Sequence, residues 1–314
     1  LYRTVEAAAA RGLDFIAITD HNTTSHFSAM RELQPAFDRL LLIPGREITT
    51  FFGHANVLGP TGFIDFRLGS KDLATAAELM DAAEAMAGAF AIAHPRLPSS
   101  EKCMGCGWTA RGTREEKLKL IEVINGGATR AMDGNAEGPW CGVPFWHERL
   151  DLGRRIVGIG GSDNHDPTLP PEVPSAVGTP TTLVECEELS ERAVLAGLLA
   201  GRVAIDLQGV AGRTLDLVAR FEAGEGAMGG EIGLPAGEAV EFEIAAACVE
   251  GARVEAVGDL AGLEALGRLE LDSSGRGRFS LRAAARPAWV RVNLRDRQGK
   301  LLMIGNPIWL SPLF

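Results

Sequence analysis

Phe15-Ile16-Ala17-Ile18-Thr19-Asp20-His21-Asn22 is a short apolar run, rich in β-branched residues, that stops abruptly at an Asp-His pair. It reads as a buried strand carrying two metal-capable side chains to its C-terminal end. Four later segments repeat the design: Leu40 to Pro44 runs into Gly45-Arg46-Glu47, Ala89 to Ala93 into His94-Pro95, Ile121 to Ile124 into Asn125, and Ile156 to Ile159 into Gly160-Gly161-Ser162-Asp163-Asn164-His165. Phe51 to Leu58 is strand-like too, with His54 inside it.

Helical patterns fill the intervals. Tyr2 to Arg11 is alanine-rich and stopped by Gly12, Thr23 to Phe37 has Ser25 as a candidate cap, and Asp72 to Ala87, Phe145 to Leu152 and Leu189 to Ala200 follow. Strands alternating with helices predict an α/β fold with a parallel sheet. Polar residues gathered at strand C-terminal ends are what a (β/α) barrel uses for chemistry, because those ends meet at one mouth. From about Gly209 the texture changes to alternating strands punctuated by turns, without a histidine, and predicts a small antiparallel β-sandwich. Residues 1–208 are therefore expected to form the metal-binding barrel and 209–314 a sandwich-like domain.

The 314 residues suit two domains, and the formal charge of -10 repels nucleic-acid backbones. Apolar stretches such as Ala85 to Ala93 fall short of the ~20 residues of a membrane span. Five cysteines in a chain of this size make no disulfide framework. The sequence starts at Leu1 without a methionine and enters helical pattern at once, which reads as an N-terminal truncation. Compartment stays open for a soluble protein, a periplasmic or secreted place included if a signal peptide was removed.

All six histidines lie between residues 21 and 165, and His21, His54, His94 and His165 sit at or near strand ends. With Asp20, Glu47 and Asp163 they offer only nitrogen and oxygen donors, which suits zinc, manganese or iron, and more than four donors implies more than one ion. Two ions generate hydroxide near neutral pH and clamp the attacked group, so hydrolysis is the default chemistry; Glu47 is the natural bridge. Neighbours in a strand face opposite ways, so His21 is taken as the ligand and Asp20 as a ligand or a partner that orients an imidazole. Asp163 and His165 would share a face in extended chain. His54 is the weakest member, lying inside its strand.

Other features weigh less. His26 and His147 read as structural. Gly158-Ile159-Gly160-Gly161 lacks the following helix of a dinucleotide loop, and Gly161-Ser162-Asp163-Asn164 lacks the second glycine of a nucleophile elbow. Cys103-Met104-Gly105-Cys106 has no second pair to complete a zinc site; Cys141 could join it, and a structural or incidental role outweighs a redox one. Trp108 and Trp140 would either wall an apolar pocket or pack their loops. Arg96 is a speculative clamp for substrate oxygens, with a solvated loop arginine as the alternative.

Ile18-Thr19-Asp20-His21-Asn22, Glu47 with Gly53-His54-Ala55-Asn56, Ala93-His94-Pro95 and Gly161-Ser162-Asp163-Asn164-His165 resemble, in order, the later metal motifs of the polymerase and histidinol phosphatase (PHP) superfamily. The Cys-x-Gly-Cys-Gly-Trp loop, Ile124-Asn125-Gly126, Phe145-Trp146-His147-Glu148 and Asn306-Pro307-Ile308 look like its CehA/McbA branch. The resemblance implies a distorted (β/α)7 barrel, here incomplete at its N-terminus, holding two or three divalent ions (zinc, manganese or iron). It implies His21, Glu47, His54, His94, Asp163 and His165 as ligands, Asp20 matching the motif, and Glu47, Asp163 and His165 at the catalytic centre. Phosphoester hydrolysis is common in the superfamily, and carbamate or aryl-ester hydrolysis is known in the branch. The superfamily's opening His-x-His is not in this sequence. The expectation is a hydrolase using metal-bound hydroxide on a small-molecule phosphoester, carboxyl ester or carbamate; the alternative is a non-catalytic metal-binding or interaction module with a degenerate barrel.

Overall fold

The computed structural model of the chain describes residues 1–313. Helix α1 (Tyr2–Ala10) leads into β1 (Phe15–Ile18), α2 (His26–Leu33) and a 3-10 turn at Gln34–Ala36. Strand β2 (Leu41–Thr50) turns directly into β3 (Gly53–Leu58); α3 (Ala76–Ala85), β4 (Ala89–Ala93), β5 (Leu120–Asn125), α4 (Gly126–Ala131), α5 (Val143–Asp151) and β6 (Val157–Gly161) follow. Next come β7 (Thr181–Val184), α6 (Glu191–Ala200) and β8 (Val203–Asp206). The rest is nearly all strand: β9 (Thr214–Phe221), β10 (Gly224–Ala227), β11 (Glu231–Leu234), β12 (Ala239–Ala247), β13 (Arg253–Gly258), a helical turn α7 (Leu263–Leu266), β14 (Arg268–Glu270), β15 (Arg276–Arg282), β16 (Ala288–Arg295), β17 (Leu301–Gly305) and β18 (Ile308–Pro312).

Strands β1 to β6 lie in one sheet in chain order. Pairs β1–β2, β4–β5 and β5–β6 are parallel, whereas β2–β3 and β3–β4 are antiparallel. The expected parallel (β/α)7 barrel is therefore incorrect. Helix makes up only 19% of the residues against 34% strand, and the sheet is an open half-barrel. The reason lies in the connections. Phe51 and Phe52 alone separate β2 from β3, and so short a link makes a hairpin where a parallel crossover needs about a dozen residues. Apolar runs mark where strands are; they do not fix strand direction.

The C-terminal strands build two further sheets. One is antiparallel, in the order β10-β9-β12-β15, and its buried face carries Leu217, Ala219, Val240, Phe242, Ile244 and Phe279. The other runs β11-β18-β16-β17-β8-β7, with β13 and β14 alongside. Its β17–β8 ladder ties the late strands to an element that precedes residue 209. Packing reinforces that tie: Trp146, Trp289, Trp309 and Ile304 share one buried cluster with the core of the six-stranded sheet. No helix among the described residues is long and apolar enough to cross a membrane.

A buried polar contact sits at this junction. Arg291 on β16 donates from Nε (3.2 Å) and a terminal nitrogen (2.8 Å) to His147 Nε2 on α5, and to Asn293 Oδ1 at 2.6 Å. Burial and the neighbouring guanidinium push the His147 imidazole down to about 3. The folded protein thus keeps His147 neutral while the unfolded chain takes up a proton near pH ~6.5. Its contribution is complete above that pH and is lost as pH falls toward the folded value. His147→Gln keeps an acceptor that does not titrate. Between about pH 7 and pH 4 the stability gap between wild type and variant should move roughly 2–4 kcal/mol in the variant's favour. Urea unfolding across that range reads it, and a pH-independent gap would refute the assignment.

Candidate metal centre

The centre begins where β1 ends. Glu47 N–H donates to Thr19 O (3.1 Å) and Asn22 N–H to Glu47 O (3.0 Å), so His21 lies beside Glu47 of β2. Asn22 takes φ +52 and its amide pairs with the Thr49 backbone in both directions, at 2.9 Å each. That turn takes the chain out of the strand, and the two candidates diverge. His21 faces Glu47, while Asp20 Oδ2 lies 3.2 Å from Nδ1 of His26, whose Nε2 bonds Gly45 O at 3.1 Å. Asp20 therefore stands beside His26, outside the cluster and without a hydrogen bond to that ring, although it still lines the adjoining cavity.

Glu47 lies inside β2, since the strand continues past Pro44 to Thr50. The β2–β3 register sets His54 opposite Thr49, and the β3–β4 register sets it beside Ala93, next to His94. Glu47 Oε1 is 2.8 Å from His54 Nδ1 and 3.1 Å from His94 Nε2; Oε2 is 3.7 Å from His21 Nδ1. Burial alone would raise the Glu47 carboxyl, but hydrogen bonds from His54 and His94 and the charges of His94 and His21 outweigh it and hold it well below the usual carboxylate range. For His94 burial opposes protonation, yet the Glu47 hydrogen bond and charge, with Glu122 and Asp163, raise the imidazole to about 9.

His54 is the most informative of these. Its Nε2 is 2.9 Å from Met104 O, a carbonyl that can only accept. With the proton on Nε2, a neutral ring directs its Nδ1 lone pair at the ionised Glu47 oxygen. Two acceptors at that distance require a positive charge, either a second proton or a cation. His94 Nδ1 is likewise buried, with no hydrogen-bond partner among the described residues.

The opposite wall comes from β5 and β6. Glu122 Oε2 accepts from the His94 N–H (2.8 Å) and from Asn125 Nδ2 (3.1 Å), which also approaches Asp163 Oδ2 at 3.3 Å. Burial raises the Glu122 carboxyl to about 7 against the lowering effect of His94. An added Cβ at Gly161 would meet Glu122 Oε1, so the carboxylate would have to give way. β6 ends at Gly161 and Asp163 takes φ +49, so the chain is not extended here, yet the two side chains stay together, with Asp163 Oδ1 3.5 Å from His165 Nδ1. Asp163 turns to Asn125, while His165 brings Nε2 to 3.4 Å from His21 Nε2 and bonds Asp163 O through Nδ1 at 3.1 Å. Left-handed backbone at Asn22, His94 and Asp163 concentrates strain at the centre, as at other functional sites.

A cavity of about 450 Å³ opens between β1 and β6, with His21, Glu47, His94, Glu122, Asp163 and His165 on its walls. Two sets of ligand atoms lie close enough together to hold an ion: His21, Glu47 and His54, and His54, His94, Cys103 and Cys106, each set within 4.8 Å. No protein-family model matches the sequence, and no curated protein matches it.

Cysteines stand beside the nitrogen and oxygen donors expected from the sequence. Cys103 and Cys106 form a disulfide beside His54. Cys141 does not join them; it is buried with Sγ 3.8 Å from Val123 O. Arg96 is exposed, is not on the cavity wall, and makes no hydrogen bond or ion pair among the described residues. Trp108 packs on Gly53, where an added Cβ would come within 2.5 Å of its ring, and donates Nε1–H to Thr113 Oγ1. Sequence reading missed Glu122 and Asn56. The signal for Glu122 was a lone carboxylate in the otherwise apolar Leu120–Asn125; Asn56 sits opposite Glu47 on the cavity wall with Oδ1 buried and unpaired.

Proposed function

We propose that this chain is a divalent-metal-dependent hydrolase of a small phosphoester, carboxyl ester or carbamate. The observation that carries the reading is the convergence of His21, His54 and His94 on the buried Glu47 carboxylate, with the ligand atoms of His21, Glu47 and His54 within 4.8 Å of one another. His21, Glu47 and His54 would hold an ion, and His94, Asp163 and His165 stand ready to hold a second. Such donors suit zinc, manganese or iron. When bound, a divalent ion polarises the scissile group and lowers the pKa of water enough to supply a nucleophile near neutral pH.

The chain's own groups do the positioning. Thr49 Oγ1, 2.5 Å from His21 Nδ1, fixes that ring. Glu122 anchors the His94 backbone, and Asn125 steadies Asp163. Apolar Ile16, Ile159 and Val177 limit water at the cavity walls. The motif resemblance to the PHP superfamily and its CehA/McbA branch points to the same chemistry.

The test uses metal-stripped protein reloaded with manganese, zinc or iron(II), on a panel of phosphate mono- and diesters, carboxyl esters and carbamates. Turnover of at least one class above the metal-free control is expected, with loss in His21→Ala. Silence across the panel with all three metals would overturn the reading.

A further inference from the structure

We propose that Cys103 and Cys106 form a second metal site with His54 and His94 only when they are reduced, so that the thiol–disulfide state of this loop sets the metal content of the centre. The proposal goes beyond hydrolysis and stands whether or not the centre turns over an ester.

The loop after β4 is pinned over the β2–β3 hairpin. Trp108 N–H donates to Pro95 O (2.9 Å), Thr109 N–H to Phe52 O (2.7 Å) and Gly105 N–H to Ser99 Oγ (2.9 Å). These bonds hold the Cys103–Cys106 turn against His54, with Met104 O on His54 Nε2 and Cys106 Sγ 3.8 Å from His54 Nδ1. The two sulfurs and one ring nitrogen each of His54 and His94 lie within 4.8 Å of one another.

Two thiolates and two imidazoles make the closed tetrahedral set that zinc takes in structural sites, with the usual two-residue spacing between cysteines. A disulfide offers neither the charge nor the donor strength of a thiolate. Oxidised, the loop leaves His54 and His94 to Glu47; reduced, it competes for both with two negative charges. A mere loop brace would not need its sulfurs to face two imidazoles.

Reduction has an open route. Met104 is 62% exposed and Cys103 partly exposed, whereas Cys106 is 5% exposed. A dithiol reductant attacks Cys103 Sγ as its thiolate, breaking the Cys103–Cys106 bond and releasing Cys106 as thiolate. The reductant's second thiol then resolves the mixed disulfide. It leaves as a disulfide, having given two electrons and two protons to the cysteine sulfurs. Binding of a divalent ion later displaces those protons from the thiols.

The test is cobalt(II) titration of the metal-stripped full chain, oxidised or reduced with a phosphine, which does not compete as a dithiol ligand would. Reduced protein should show a thiolate-to-cobalt charge-transfer band that oxidised protein lacks, and a cobalt stoichiometry different from the oxidised protein's, because His54 and His94 pass to the thiolates. The Cys103→Ser/Cys106→Ser variant should lack the band even under reducing conditions, and reduced His21→Ala should keep it while losing turnover, which separates this site from the hydrolytic one. Equal stoichiometry and spectra for oxidised and reduced wild type would overturn the proposal. So would a band that survives in the double variant. If that variant does not fold, the wild-type comparison decides alone.

Discussion

Under the proposed function, replacing Glu47 with glutamine is expected to weaken divalent-metal binding at least ~100-fold, since loss of mere outer partners already costs ~10–100-fold. Turnover should fall with it. The substitution preserves shape and removes charge at the point where three imidazoles converge. A glutamine amide carries donors as well as an acceptor, so it can pair with a neutral His54 ring directly and offers a cation no negative charge.

The same variant has a metal-free signature. Glu47 is the main group raising His94 to about 9 against burial. A folded value raised above the unfolded ~6.5 gives stability that is complete below that pH and is lost as pH rises through the folded value. In Glu47→Gln this alkaline loss should flatten, and the His94 resonances should titrate at lower pH. Metal analysis, turnover and an NMR titration read three consequences of one substitution. Unchanged metal stoichiometry would exclude Glu47 as a ligand.

Much of this centre was legible as spacing. Apolar runs stopping at His21, Glu47, His94 and Asp163 mark places where a sheet ends and polar groups gather, and burial of these strands follows from their composition. Strand direction was not legible, because it depends on whether a linker is long enough for a crossover, and the role of Phe51-Phe52 as a complete turn shows only in the pairing. The divergence of Asp20 from His21 was legible, since neighbours in extended chain face opposite ways. Glu122 was hidden for a different reason. Its partners, the His94 N–H and Asn125, lie on a neighbouring strand and at its own strand's end, so no short motif contains them. The cysteines have no second pair in the sequence, and the histidines that lie near them in space are some fifty and nine residues upstream, which spacing rules for zinc sites do not anticipate.

The largest effect on stability is expected at Asn306, far from the metal ligands in sequence. Its side chain is fully buried and makes three hydrogen bonds: Gly158 N–H donates to Oδ1 (2.8 Å), and Nδ2 donates to Gly158 O (2.8 Å) and Val203 O (2.9 Å). Asn306 thereby acts as a peptide group between β6, which pairs through its backbone with β5 alone, and β8 of the eight-stranded sheet. Asn306→Leu keeps the volume, leaves the buried Gly158 N–H and O without partners, and leaves Val203 O only the backbone N–H of residue 306 at 3.3 Å. A loss of roughly 3–5 kcal/mol is expected, given about 1–3 kcal/mol for each unsatisfied group and incomplete additivity. Asn306→Asp should cost at least as much near neutral pH, because a buried carboxylate would face two carbonyl oxygens, and the deficit should shrink in acid as that carboxyl protonates. Denaturant unfolding of both variants reads the outcome, and a loss below about 1 kcal/mol in Asn306→Leu would contradict the bridging role. Since β6 leads directly to Asp163 and His165, loosening it should also weaken metal binding in the folded variants, linking the C-terminal sheet to the centre through one amide.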